Sequence, residues 1–174
     1  MSFADRIPLV RLLPRPRLDG GRNLIRTAWD LMSGMPGGKR VFSHLIGRMA
    51  PYTGSIHANV TVLRAGYAEV EMHDRRAVRN HLDCVHAIAL ANLAELAGNI
   101  ALAYSLPDDA RFIVAKIELE YVKKARGTIT AECEFEMPRS SERIQVEIPV
   151  VMRDRNGEVV TRATLRSLVG PKKN

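Results

Sequence analysis

Hydrophobic residues along this chain recur first at helical spacing, then at every second position, then around a whole cylinder, and finally at every second position again. From Asn23 to Met35, the residues Leu24, Ile25, Ala28, Leu31, Met32 and Met35 repeat at helical spacing around Trp29, and Pro36-Gly37-Gly38 ends the run. A second short helix is predicted with Val41, Phe42, Leu45, Ile46 and Met49 on one face and Pro51 after it. Ahead of both, residues 1–21 mix prolines with arginines and end in Gly-Gly, which suits an irregular arm draped on the domain. After Gly54 the period falls to two. Ile56, Ala58, Val60 and Val62 alternate with polar residues, and Ala68, Val70 and Met72 repeat the pattern beyond a turn at Ala65-Gly66, predicting a hairpin. Three later strands are marked by Ile113, Ala115, Ile117, Leu119 and Tyr121, by Ile129, Ala131, Cys133 and Phe135, and by Ile144, Val146, Ile148, Val150 and Met152. Asn156-Gly157 signals a tight turn into a sixth, about Glu158 to Val169.

Between the hairpin and the third strand lies the stretch from Asn80 to Tyr104, rich in alanine and leucine and free of proline. Val85, Ile88, Leu90, Leu93, Leu96 and Ile100 go round the cylinder rather than keeping to one stripe, the pattern of a buried helix. Asp83 is expected as its N-cap. Two strands, one helix apolar on every side and four more strands predict an α+β fold in which a curved antiparallel sheet wraps the helix. Residues 1–53 form an N-terminal arm with short helices packed on the domain, and 54–174 form the domain itself. At 100° per residue, Asn92, Glu95 and Asn99 fall within about 60° of one another. A carboxylate on a buried helix has to be hydrogen-bonded, paired or put to use, so that stripe is the first candidate for chemistry.

Composition narrows the setting. With 174 residues and 46% apolar content, the chain suits one domain with a substantial core. Cys84 and Cys133 have no metal-ligand spacing, and a chain of this size does not need a disulfide, so a reducing, cytoplasmic setting is expected. The N-terminus makes a poor signal peptide, and no stretch reads as an uninterrupted membrane span. A formal charge of +7 favours anionic partners, although the positive residues are scattered apart from groups such as Arg75-Arg76 and Lys123-Lys124-Arg126. Aromatic content of 5% argues against a stacking platform for nucleic acid. The amphipathic N-terminal helices could meet a membrane surface, but packing on their own domain is the expectation, without stable membrane insertion.

Asn80, five residues, His86-Ala87-Ile88, six residues and then Glu95 give this chain a pattern that resembles the hotdog-fold acyl-CoA thioesterases of the phenylacetate-pathway type. Those enzymes have an asparagine before the central helix, His-Gly-Gly at its start and an acid further along it. In texture the chain is also similar to a bacterial hotdog family known only as a domain of unknown function. The resemblance spans about residues 55–169 and implies a hotdog fold and hydrolysis of an acyl-CoA, or acyl carrier protein, thioester without a cofactor beyond the coenzyme A of the substrate. It further implies the Ala87 N–H as oxyanion donor, Glu95 as base or nucleophile, Asn80 orienting the water or carboxylate, and His86 positioning the loop or thioester. A homodimer, or a tetramer built from it, is implied because related enzymes draw donor and carboxylate from opposite subunits. Ala87-Ile88 replaces Gly-Gly, which keeps the backbone N–H and narrows the carbonyl's approach. Lys123, Lys124 and Arg126 are candidates for the coenzyme A phosphates, and Asn92 and Asn99 for lining the cavity.

Two rival readings share this fold. His81 stands fourteen residues before Glu95, as in hotdog dehydratases or hydratases acting on 3-hydroxyacyl thioesters, but His81-Leu82-Asp83-Cys84 replaces their His-Phe-Pro-Gly. A non-catalytic module that binds an acyl thioester or fatty acid is the other, favoured by Ala87-Ile88 and opposed by Glu95.

Overall fold

A computed structural model describes residues 22–137 and 139–172 of the protein, so the expected arm over residues 1–21 lies outside the described residues. The helices are α1 (Leu24–Met32), α2 (Gly38–Met49), α3 (Pro51–Gly54) and α4 (Ala87–Ser105). The strands are β1 (Asn59–Arg64), β2 (Tyr67–Met72), β3 (Ala110–Tyr121), β4 (Ile129–Glu134), β5 (Ile144–Asp154) and β6 (Val159–Pro171). All six join one antiparallel sheet in the order β1-β2-β4-β5-β6-β3. The sheet wraps α4, which is the hotdog arrangement the pattern predicts.

The core forms where α4 meets the inner face of the sheet. Leu93, Ala94, Ala97, Ala101 and Leu102 are fully buried against a sheet lined by Val70, Met72, Ile129, Ala131, Ile148, Met152 and Leu165. Each large aliphatic side chain buried this way contributes roughly 1.5–3 kcal/mol. The small residues of α4 bring it close to the sheet. A Cβ on Gly98 would stand 2.7 Å from Leu165 Cδ2, so this position has room for hydrogen alone without repacking. By length and composition α4 could cross a membrane, but most of it is buried inside this fold.

Of the N-terminal helices, α1 and α3 pack against α4, while α2 packs against β1 and its two neighbouring helices. Asn23 caps α1 by accepting from Arg26 N–H. Its Nδ2 donates to the carbonyls of Ala103 (2.7 Å) and Leu106 (3.1 Å), which the end of α4 leaves without helical partners. Trp29 and Phe42 meet edge to face with ring centres 5.1 Å apart, holding α1 against α2. Val60 N–H donates to Ser43 Oγ (2.9 Å), fastening α2 to β1. Between α2 and α3, a Cβ on Gly54 would lie 2.4 Å from the Gly47 carbonyl oxygen, a backbone atom that cannot swing away.

Local expectations change at three places. The expected N-cap, Asp83, lies in a turn with φ of 56°, and the helix begins after His86. Pro51 follows the end of α2 as expected and opens the short α3, because proline at the first helical position loses no hydrogen bond. Ile56 and Ala58 are buried but precede β1. In β3 a bulge between Val114 and Lys116 reverses the alternation, so that Ile117 and Leu119 pack inward while Ile113 is 67% exposed.

Candidate functional site

The loop before α4 is built on one largely covered carboxylate, that of Asp74. Asp74 accepts from Arg79 Nε (2.7 Å) and from Gly127 N–H (3.0 Å). The Arg79 guanidinium, helped by Gly127 N–H, holds the Asp74 carboxyl below its usual range against the opposing effect of burial. Arg79 also pairs with Asp83 at 3.5 Å. Backbone bonds from Val85 N–H to Ala125 and from His86 N–H to Val78 then fix the direction in which the chain enters the helix.

Within this frame Asn80 is an organiser of the turn. Its Oδ1 accepts from Leu82 N–H (2.9 Å), and at 3.4 Å from both the Cys84 N–H and the Cys84 thiol. The turn is closed by Asn80 N–H donating to the Cys84 carbonyl. Cys84 is thereby buried and bonded, away from any role as an exposed nucleophile. His81 lies exposed on the same turn.

His86 is the N-cap of α4. Its Nδ1 accepts from Ile88 N–H (3.0 Å), so a neutral ring carries its proton on Nε2. The cap occupies the second helical N–H and leaves the first, that of Ala87, with no partner among the described residues. That unpaired N–H sits at the positive end of a nineteen-residue helix. Ile88, the residue expected to crowd the approach, is 52% exposed. Tyr121, the last residue of β3, donates its hydroxyl to the Ala87 carbonyl (3.0 Å). Burial pushes that phenol above its usual value, which keeps it a donor.

The second group lies further along α4. Glu95 and Asn99 are half-buried on the stripe not covered by the sheet, and Asn99 Nδ2 donates to Glu95 Oε1 at 3.4 Å. Asn92 is buried beside them, and its Nδ2 donates to the Tyr52 carbonyl (3.0 Å). The side-chain oxygens of Asn92 and Asn99 are buried without a partner among the described residues. Glu95 is eight residues beyond Ala87, which places it about 12 Å further along the helix axis. The structure thus brings Asn80, His86 and Ala87 together at one end and Glu95, Asn92 and Asn99 together in the middle of the helix.

The three expected phosphate ligands are differently engaged. Lys123 is bonded to Glu158 and to Asp154 (2.9 Å), so its charge is already matched. Arg126 Nε donates to the Asp83 carbonyl (3.3 Å), and Lys124 is exposed beside it. Asp74 and Tyr121 were not among the residues the sequence points to. An Asp in a polar loop carries no signal of burial, and Tyr121 reads as one more alternating strand residue. A recess of about 720 Å³ lies near the opposite end of α4, lined by Arg111, Ile113, Arg143, Ile144 and Leu168. It shares no residue with either group.

Residues 38–169 match the family model described as a domain of unknown function, DUF4442. The chain belongs to this family. The DUF4442 chain is also similar to a protein solved in a genomics effort, at 33% identity over 84% of this chain and 98% of that one, with a TM-score of 0.72. A Pseudomonas aeruginosa protein of unknown function, named a probable thioesterase, aligns at 22% identity over 79% and 97%, with a TM-score of 0.68. A thioesterase family protein from Silicibacter pomeroyi aligns at 16% identity over 74% and 96%, with a TM-score of 0.64. At such identities the latter two share the fold of the DUF4442 chain. Among curated proteins none matches.

Proposed function

We propose that this protein is an acyl-CoA thioesterase in which the Ala87 N–H receives the thioester carbonyl oxygen and Glu95 activates water. The observation that carries the reading is the pairing of an unpartnered N–H at the start of α4 with a half-buried carboxylate, bonded by Asn99, further along the same helix. As the general base, Glu95 takes a proton from water while the water oxygen attacks the carbonyl carbon. The electron pair of the carbonyl moves onto oxygen, where the Ala87 N–H and the helix end stabilise it. When the carbonyl re-forms, the C–S bond breaks and the departing thiolate takes up the proton. Asn99 fixes the carboxylate, and His86 fixes the N-terminus of the helix by occupying the neighbouring N–H. Tyr121 holds the first turn from the opposite side.

A homodimer completes this site. The two groups lie too far apart within one chain to act on a single carbonyl, and the free edge of β3, a strand of twelve residues, offers a pairing surface that would bring a second α4 alongside. Lys124 and Arg126 at the end of β3 would meet the phosphates of coenzyme A. Two reduced, buried cysteines suit work in the cytoplasm.

The test is release of free thiol from short, medium, long and aromatic acyl-CoAs, comparing wild type with Glu95→Ala. Turnover of one class by wild type, with a loss of roughly 100-fold or more in the variant, is expected for a positioned base. Absence of turnover on every class, or a variant as active as wild type, would overturn the assignment.

A further inference from the structure

The positive charge of this protein is unevenly placed. Residues 1–54 contain nine Lys or Arg against three Asp or Glu, whereas residues 55–174 contain seventeen against sixteen. The domain body is therefore close to neutral, and the N-terminal region carries nearly all of the net charge. Within the described part of that region, Asp30 is the one acid, and it is turned toward the domain, accepting from the Tyr104 hydroxyl (2.9 Å). Arg26 and Lys39 are likewise drawn inward, onto the carbonyls of Tyr104 and Thr61. Arg40 and Arg48 are exposed on α2 and form no ion pair with any described residue.

The same helix pair presents large apolar side chains to solvent. Leu31 at the end of α1 is 72% exposed, Met35 in the turn 58%, and Val41 in the first turn of α2 42%. They are not loosely held, because Ile25, Trp29 and Phe42 on the inner faces of the same helices are buried. Residues so far out of their neighbours' cover stand clear of the surface at the bend of a helical hairpin. A protruding apolar tip with Arg40 beside it, and Arg48 about 12 Å further along α2, suits the boundary between headgroups and acyl chains, where the tip enters hydrocarbon and the guanidinium groups meet phosphates. An acidic protein partner would match the charge but would need a recess to receive the tip.

We infer that the α1–α2 tip and the exposed side of α2 form a docking surface for bilayers carrying anionic lipid, with Leu31 and Met35 inserting at the tip and Arg40 and Arg48 meeting the headgroups along α2. The inference does not depend on the chemistry proposed for α4. Two signals are combined here, apolar insertion and charge attraction, and each alone gives weak and reversible attachment.

Co-sedimentation of the full chain with phosphatidylcholine vesicles, with and without phosphatidylglycerol, tests it. The expected result is partition onto the anionic vesicles and little onto the zwitterionic ones. Loss of one cation near such a surface lowers partition about fivefold, so Arg40→Ala with Arg48→Ala is expected to lower it about 25-fold. Leu31→Asp with Met35→Asp is expected to abolish the binding that persists when salt screens the charges. All four positions are exposed, and unchanged thermal unfolding by circular dichroism confirms that each variant is folded. Failure of wild type to bind anionic vesicles overturns the inference. So does equal binding by either double variant, or capture of an acidic carrier protein by this face without vesicle binding.

Discussion

Ala87 contributes to the proposed chemistry only through its backbone, which makes it testable in an unusual way. His86, with φ of −65° and ψ of 139°, already has the extended conformation that proline requires of the residue before it. Ala87 is the first helical residue, where proline costs no intrahelical bond. Ala87→Pro therefore deletes one N–H and little else. Activity on the best acyl-CoA is expected to fall about 100- to 1000-fold, the size measured when one oxyanion donor is lost, while the helical circular dichroism signal stays as in wild type. Ala87→Gly, which keeps the N–H, should retain activity. A proline variant as active as wild type would show that the donor lies elsewhere. At this scale the sequence was informative wherever spacing alone sets geometry. The 100° step between residues placed Glu95 beside Asn99, and the two are bonded. It was uninformative wherever a role depends on the path of a loop. Asp83 has the chemistry of an N-cap, but the turn closed by Asn80 carries it past the helix axis, and His86 takes the cap.

The elements that position the site depend on polar bonds whose strength varies with pH. Asp74 joins the loop before α4 to Arg79 and to Gly127, which precedes β4. Its carboxyl is held below the ordinary value of 3.8, so the folded state favours the ionised form. The stability this supplies is complete above that ordinary value and is lost as pH falls through the lower folded value. Asp74→Asn keeps the shape and removes the charge. It is expected to lower stability by about 1 kcal/mol at pH 7. The difference from wild type should shrink as the pH is lowered below about 4. Thermal unfolding of both proteins at pH 7 and pH 3 measures this, and a constant gap would count against the loop's dependence on the Asp74 charge. Element boundaries read from periodicity held best where one period persists, as in β4, whose Ile129, Ala131 and Cys133 all face inward. At β3 the expected residues do lie in the strand, but the inward face was misread, because a bulge adds one residue without altering the apolar composition. The outward Ile113 is as hydrophobic as the inward Ile117.

The architecture of the whole molecule decides whether the two groups on α4 can form one active site. Donor and carboxylate are separated by about 12 Å along a rigid helix. A water attacking a carbonyl must lie about 3 Å from its base while the carbonyl oxygen is bonded to its donor. One chain cannot meet both conditions, whereas two antiparallel copies of α4 in the proposed dimer would set Ala87 of one beside Glu95 of the other, twice. Mixed dimers separate the alternatives. Ala87→Pro and Glu95→Ala chains are each inactive alone in either arrangement. If every site draws on both subunits, a dimer with one chain of each kind has one site with both defects and one with neither. Mixing the two inactive proteins under conditions of subunit exchange is then expected to restore activity, to about a quarter of the wild-type rate for random pairing, because half the dimers gain one of two sites. If each site lies within one chain, every site keeps a defect and mixing restores nothing. Sedimentation velocity on the same mixtures confirms that dimers are present, so that silence would count against the shared site itself.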